Sequence, residues 1–327
     1  MSELQIKCGV CQSLVDEEDL FCPNCGTEAP AAPGDQKAAT PTSRLATHNF
    51  QCSGCGASMS YDAAAGNLRC PFCGSTQLVA QPDAHILAPD KVVPLAVDQR
   101  QAVTTLRAWL GRGFFRPSGL AGEAAVVAMR PVFVPYWVFS LNTHTYWTAD
   151  SSQTPPGANA SWYPLSGEHS GEYRNLLIGA SAVLTPDETR ELCPFDLAPG
   201  VPPDKVDLDR ITVEQFTVPR KYVRPLVRRG IEQMEAEQCV ARYVPGQARN
   251  VHVNVRIEAM ASYPVLLPVW IMAYRYRGRV FRFLVNGQTG QSTGQAPISY
   301  WKIALLAAAV LAGAVFLAGA LFGGLLQ

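Results

Sequence analysis

Alternating apolar and polar positions predict several β-strands along the chain. The clearest alternation covers residues 251–259, and another covers 279–285. A period of two is typical of a strand that buries one face. With shorter patterns of the same kind, strands are predicted at residues 91–97, 126–129, 131–141, 211–218, 251–259 and 279–285. Asn286 and Gly287 follow the last strand and predict a two-residue type I′ hairpin turn.

Three helices are predicted from capping residues and from apolar positions at helical spacing. A capping box begins two of them, and a proline begins the third. The residues concerned are Asp98 and Gln101 with Val103, Leu106 and Leu110 for the first, Thr185, Pro186 and Glu188 for the second, and Pro225 with Val227, Ile231 and Met234 for the third. Strands interspersed with such helices indicate an α+β body.

Two segments of the chain repeat each other. PVFVPYWVF at residues 131–139 and PVLLPVWIM at residues 264–272 share two prolines, a valine and a tryptophan at the same spacing. Similar elements precede both segments, which predicts two related α+β units, each with an antiparallel sheet backed by a helix. Proline lacks the N–H for a ladder hydrogen bond, so each segment is expected at an edge, a bulge or a bend. The motif either frames a ligand groove or packs a tryptophan in the core of each unit.

Residues 303–326 contain no charged or strongly polar side chain. At about 1.5 Å per residue, a helix of that length covers the ~30 Å hydrocarbon core, so a transmembrane helix is predicted; a buried core helix or hairpin is the alternative. Lys302 precedes this helix, and no signal peptide follows Met1. Both features predict that the residues before the helix lie in the cytoplasm. The predicted localisation is a single-pass tail anchor in the inner (cytoplasmic) membrane, with the lipid bilayer as a partner. Gly319 and Gly323 favour a homodimer through this helix.

Eight of the ten cysteines form four C-x-x-C pairs within the first 73 residues. Ten residues separate the inner cysteines of the first two pairs, and fourteen separate those of the last two. Two turns that each present two thiolates supply the four soft ligands of a structural zinc, so two ribbons and two zinc ions are predicted; disulfides and an iron–sulfur site are the alternatives. The predicted ligands are Cys8, Cys11, Cys22 and Cys25 in the first ribbon, and Cys52, Cys55, Cys70 and Cys73 in the second.

These patterns divide the chain into six predicted parts. They are a zinc ribbon at residues 1–28, a flexible linker at 29–48, a second zinc ribbon at 49–80, a first α+β repeat with a loop-rich insertion at 81–210, a second α+β repeat ending in a hairpin at 211–298, and a juxtamembrane segment with the transmembrane helix at 299–327. The predicted fold class is multidomain: two small four-cysteine zinc ribbons, a duplicated α+β body with antiparallel sheets, and one C-terminal transmembrane helix.

Charge and motifs narrow the function. Residues 1–80 carry four Lys/Arg against eight Asp/Glu, which disfavours nucleic-acid binding by the ribbons. Residues 219–282 carry twelve Lys/Arg against four Asp/Glu, which indicates either binding to anionic lipid headgroups or a solvated basic face. The sequence contains no phosphate-binding loop and no H-E-x-x-H metal motif, so no enzymatic activity is expected.

The chain resembles a family of uncharacterised bacterial zinc-ribbon membrane proteins in three segments and in the helix after SYWK. The segments are CPFCG from Cys70, VPYWVF from Val134 and LPVWIMAYRYRGRVFRFLVNGQTG from Leu267. Members carry labels such as transcription-factor-B-type zinc ribbon protein or primosomal, helicase-like protein. The resemblance covers about residues 49–302, and the N-terminal ribbon is additional. It implies work beside membrane-stress scaffolds of the phage-shock or SPFH (stomatin-like) kind.

The expected function combines these features. We expect a non-enzymatic, tail-anchored cytosolic zinc-ribbon protein that acts as a membrane-associated scaffold or adaptor for an unknown protein partner, in membrane-stress response. The alternative is a membrane-tethered nucleic-acid-binding protein that uses the zinc ribbons.

Overall fold

The computed structural model describes residues 6–7, 10, 14–15, 49–61, 69–81, 89–157, 161–207, 211–218 and 220–323, and for 6–7, 14–15 and 315–323 it describes the backbone only. The strands are β1 (Ile6–Lys7), β2 (Leu14–Val15), β3 (Asn49–Cys52), β4 (Ser58–Ser60), β5 (Leu78–Ala80), β6 (Lys91–Val92), β7 (Ala125–Ser151), β8 (Tyr163–Gly179), β9 (Thr212–Glu214), β10 (Ala248–Tyr276), β11 (Arg279–Asn286) and β12 (Ser292–Gly294). The helices are α1 (Gln99–Leu110), α2 (Leu120–Glu123), α3 (Pro186–Glu191), α4 (Arg220–Tyr243) and α5 (Tyr300–Gly323), with a 3-10 helix at Pro203–Lys205.

Ten of these strands form one mixed sheet. Its order is β12-β11-β10-β7-β9-β4-β3-β5, with β6 paired to β10 and β8 paired to β7. The β6–β10 and β7–β9 pairs are parallel, and the other pairs are antiparallel. The predicted fold class, a multidomain chain whose repeats form antiparallel sheets, is wrong, because strand pairing joins both repeats and β3, β4 and β5 into a single sheet.

The centre of the sheet is the antiparallel pair of β7 and β10, the strands that contain the two repeated segments. The segments lie against each other, with Pro131 opposite Trp270. Val134 and Leu267 face each other at the midpoint. A pseudo-twofold axis between these two residues therefore relates the two copies.

The repeated prolines lie in the central strands, at points where the outer neighbour of the strand changes. β7 pairs with β9 through residues 132–133 and with β8 from residue 136, and Pro135 lies between these ladders. Its carbonyl accepts from the N–H of Ala180 at 2.9 Å, so its backbone polar group faces away from β10. Pro268 has the equivalent place in β10. The missing N–H is tolerated because neither outer ladder uses that donor.

Each copy contributes its first strand to the long strand of the other copy. β6 pairs with β10, and β9 pairs with β7. The indole of Trp270 donates to the carbonyl of Val97 at 2.8 Å, and that of Trp137 donates to Val218 at 3.0 Å. Both acceptors lie just before a helix, α1 and α4 respectively. Each tryptophan therefore packs beside the helix of the other copy, and not in a core of its own unit.

Helices α1 and α4 present equivalent apolar stripes to the sheet. The buried positions are Ala102, Leu106 and Leu110 in α1, and Val223, Val227, Ile231, Glu235 and Cys239 in α4. The predicted capping boxes of α1 and α3 are both present. Pro225 lies inside α4, which begins earlier than predicted, and Met234 is 37% exposed because the stripe runs through the next residue.

The loop after β11 is longer than the predicted type I′ turn. The N–H of Asn286 donates to the carbonyl of Gln291 at 2.7 Å, and the buried Asn286 amide also donates to the carbonyl of Leu192 at 2.8 Å. A Cβ on Gly287 would lie 2.8 Å from the carbonyl oxygen of Pro268. Glycine is therefore needed here for close approach of two backbones, and not for a hairpin turn.

Helix α5 follows the sheet, and Lys302 Nζ at its start donates to the carbonyl of Arg116 at 2.8 Å. Among the described residues, no helix combines the length and the apolar character needed to cross a membrane. The predicted transmembrane helix, tail anchor and single-pass inner-membrane localisation are therefore wrong.

Candidate metal centre

Two turns of the same geometry present the cysteines of the second ribbon. In the first turn, the N–H of Cys52 donates to Ala57 and the N–H of Gly56 donates back to Cys52, both at 2.8 Å. The turn at residues 70–75 repeats both hydrogen bonds at the same length. Gly56 and Gly74 have φ of 77° and 74°, a conformation that favours glycine. The local sequence thus builds two matching knuckles, and each carries two thiols.

The four thiols of these knuckles converge. The Sγ atoms of Cys52 and Cys73 are 3.6 Å apart, those of Cys55 and Cys70 are 3.5 Å apart, and all four lie within 4.8 Å of one another. These separations exceed the ~2.0 Å bond of a disulfide. Four sulfurs around a tetrahedral zinc, each about 2.3 Å from it, lie about 3.8 Å apart. The quartet can therefore hold one metal ion.

Protons are shared unequally among the thiols. The hydrogen bond with Cys70, together with the N–H of Ala57, lowers the pKa of Cys55 to about 5. The same contact and burial raise the pKa of Cys70, and burial raises the pKa of Cys73 to about 11. A divalent metal bound at neutral pH must therefore displace protons from the thiols with raised pKa.

The second ribbon packs on the edge of the large sheet. Met59, Tyr61 and Phe72 belong to the same buried apolar cluster as Val134 of β7. Strand β4 pairs with β9, and the N–H of Gln215 donates to the carbonyl of Ser58 at 2.9 Å. The candidate metal site is thus fixed to the duplicated body through both packing and strand pairing.

A buried carboxyl lies at this junction, opposite Met59 of β4. Glu214 is 1% exposed and accepts from the Ser181 hydroxyl at 2.7 Å, while its Oε2 has no hydrogen-bond partner among the described residues. Burial raises the pKa of Glu214 to about 8. The sequence pattern did not predict a role for Glu214, although a glutamate within a predicted strand is a signal for it.

The other predicted ligands, Cys8, Cys11, Cys22 and Cys25, lie outside the described residues. Near them the structure describes β1 and β2, which pair antiparallel with Ile6 opposite Val15.

Two further polar groups were not predicted from the sequence. Arg282 and Glu188 form an ion pair of 2.6 Å whose side chains are 14% and 10% exposed. Glu235 is fully buried beneath α4. Glu235 lies four residues after Ile231 and so continues the apolar stripe of the helix. This spacing is the sequence signal that would have predicted its burial.

Comparisons with known proteins identify an uncharacterised relative. The chain is 25% identical over 329 aligned positions to the uncharacterised protein YdjG of Bacillus subtilis (strain 168), a match that covers 83% of this chain and 96% of the relative. No family model matches the chain. No solved structure matches it.

Proposed function

We propose that Cys52, Cys55, Cys70 and Cys73 hold one zinc ion in a structural site, and that the protein is a non-enzymatic scaffold or adaptor for a protein partner. The convergence of the four thiols carries this proposal. Four thiolates complete the tetrahedral shell of zinc, which leaves no position for a substrate or an activated water. Soft sulfur ligands also favour zinc over the hard cations that prefer oxygen.

The structural role follows from where the quartet lies. Cys52 and Cys70 are 1% and 0% exposed, and both belong to the apolar cluster that joins the ribbon to the sheet. A unit of about 30 residues buries too little apolar surface to fold alone, so the metal would supply the missing stability. Zinc would then hold β4 against β9 and keep the outer strands of the sheet in place.

The surface of this ribbon favours a protein partner over a nucleic acid. Residues 49–61 and 69–81 contain one Lys/Arg, Arg69, and no Asp/Glu. Binding to phosphates depends on neutralisation by several cations, which these residues do not supply. Strand β5 is the last in the sheet order, and its Val79 is 56% exposed. An extended partner segment would pair with this strand, as in β-augmentation. A phage-shock or SPFH-type scaffold is one candidate, taken from the sequence resemblance.

The metal is tested by elemental analysis of the purified full-length chain. We expect Cys70→Ser to remove one equivalent of zinc per chain relative to the wild type, and Cys193→Ser to remove none. An unchanged zinc content in Cys70→Ser, or iron with acid-labile sulfide in the wild type, would contradict the zinc site.

The adaptor role is tested by a photo-crosslinking residue at position 79, with position 280 as control. Val280 is 44% exposed on β11, away from the ribbon strands. In the native cells we expect one protein adduct from position 79, none from position 280, and loss of the adduct in Cys70→Ser. Equal adducts from both positions would contradict the proposal. A salt-sensitive gel shift with DNA or RNA, abolished by Cys70→Ser, would favour the nucleic-acid alternative.

A further inference from the structure

The second half of α4 has no counterpart in the first repeat. α1 has 12 residues and α4 has 24. The additional half packs on the outer part of β7, β8 and β10, and there the buried stripe changes from aliphatic residues to Glu235 and Cys239. Polar atoms are thus buried under a part of α4 that has no counterpart in α1.

The carboxylate of Glu235 is held at one oxygen only. The side chain is 0% exposed, and its Oε1 accepts from the Thr143 hydroxyl at 2.6 Å and from the Tyr173 hydroxyl at 2.8 Å. Burial, and then the hydrogen bond to Glu235, raise the pKa of Tyr173, so the phenol remains a donor. A Cβ on Gly171 would lie 2.5 Å from this Oε1, so glycine makes room for the carboxylate on the sheet.

A chain of hydrogen bonds leads from Tyr173 towards the surface. Gln238 Nε2 lies 3.4 Å from the Tyr173 hydroxyl, Gln238 Oε1 lies 3.3 Å from His169 Nε2, and His169 Nδ1 lies 3.1 Å from the Tyr243 hydroxyl. The amide nitrogen can only donate and the amide oxygen can only accept, which assigns the His169 proton to Nε2. All the hydrogens in this chain then point towards Glu235, an arrangement that stabilises a negative charge on it.

The other carboxylate oxygen has no partner. Among the described residues, Glu235 Oε2 accepts no hydrogen bond, and no cationic side chain forms an ion pair with Glu235. The hydroxyl of Thr145, also 0% exposed, has no partner either. Thr145 lies two residues beyond Thr143 on the same buried face of β7, so its hydroxyl is the next one along the strand after that of Thr143. A buried carboxylate without a counter-charge costs several kcal/mol.

We propose that Glu235 Oε2 and the Thr145 hydroxyl bind one monovalent hard cation, with sodium as the ion to test, between α4 and the sheet. One uncompensated carboxylate matches one unit of positive charge. Carboxylate and hydroxyl oxygens are the ligands that hard cations prefer, whereas Ca²⁺ takes about six to eight oxygen ligands and Mg²⁺ usually keeps several waters. The two hydrogen bonds on Oε1 fix the carboxylate and leave Oε2 free for the ion.

The test measures urea unfolding of the full-length, metal-loaded protein in sodium, potassium, lithium and choline chloride at equal ionic strength. A site for sodium raises the folded-to-unfolded ratio about tenfold when sodium is present at about ten times its dissociation constant. Choline is too large to enter a buried site, so it serves as the reference cation. Equal stability in sodium and choline would overturn the proposal and indicate that water satisfies these oxygens.

Two variants assign the effect to the site. Glu235→Gln should lose the difference between sodium and choline, and Thr145→Val, which keeps the carboxylate, should reduce it. Glu214→Gln removes a buried carboxyl elsewhere in the fold and should leave the difference intact. If Glu235→Gln does not fold, Thr145→Val decides the question. A sodium effect unchanged in Thr145→Val, or abolished in Glu214→Gln, would overturn the assignment.

Discussion

If Cys70 is a zinc ligand, as proposed, its loss should open the large sheet at β9 as well as the ribbon itself. The perturbation is Cys70→Ser, which removes a fully buried thiol from the quartet. On the proposal that zinc holds the two knuckles together, Met59, Tyr61 and Phe72 should then leave the shared cluster. The partner strand β9 then loses the hydrogen bond from the Gln215 N–H to the carbonyl of Ser58.

The size of this effect follows from the buried side chains. Met59, Tyr61 and Phe72 are 0%, 1% and 3% exposed, and full burial of one large apolar side chain contributes about 1.5–3 kcal/mol. Loss of a single such contribution, about 2.7 kcal/mol, corresponds to about a 100-fold change in a local opening equilibrium. Amides that close by pairing β4 with β9 should therefore exchange at least about 100-fold faster in the variant.

Hydrogen exchange measured by mass spectrometry or NMR provides the assay. Cys70→Ser should accelerate exchange in residues 49–61, 69–81 and 212–215, and leave residues 140–150 of β7 close to the wild type. Cys193→Ser is the matched control, because that thiol lies outside the quartet. Acceleration confined to the ribbon, with 212–215 unchanged, would refute the reasoning that metal binding stabilises the sheet.

Three further predictions use urea unfolding. The pKa of Glu214 is about 8 in the fold against an ordinary 4.5, so between these pH values the folded state binds one more proton than the unfolded state. The free energy of unfolding should therefore fall as pH rises from about 5 to 8. Glu214→Gln should flatten this fall, and an equal slope in both proteins would argue against the assignment. Trp137→Phe and Trp270→Phe each leave one backbone carbonyl without its donor, so each should lower stability by about 1–3 kcal/mol; a clear difference between them would show that the pseudo-twofold contacts are not equivalent. Gly171→Ala should lower stability by about 1–3 kcal/mol because its Cβ meets the α4 carboxylate, whereas Gly230→Ala, with open space around it, should not.

Local sequence signals predicted local structure well. The capping boxes at Asp98 and Thr185 are present where the sequence placed them, because each depends on residues within one helical turn. The convergence of Cys52, Cys55, Cys70 and Cys73 follows from two short knuckles joined by a hairpin, so spacing alone was sufficient to predict a metal-binding group. These features need no knowledge of the distant parts of the chain.

Features that depend on distant pairing could not be predicted in this way. The repeat at residues 131–139 and 264–272 indicates duplication, but nothing in the two copies specifies that β6 and β9 are exchanged between them. The prolines were expected at an edge, a bulge or a bend because strand rules consider one neighbour at a time, whereas here the outer neighbour changes at the proline. Apolar composition alone predicted a membrane-spanning helix, which the described residues do not provide.

The two proposed binding sites lie where the chain departs from its pseudo-twofold symmetry. Among the described residues, the outer side of β6 forms a bridge from Val92 to Val201, whereas the outer side of β9 pairs with β4 of the cysteine ribbon. Helix α1 ends after its apolar stripe, whereas α4 continues for another half and buries Glu235. A buried carboxylate opposes stability unless a ligand or a hydrogen bond compensates it. The first repeat forms its strands and its helix without such groups, so the fold itself does not require them, and this supports the proposal that both sites bind ions.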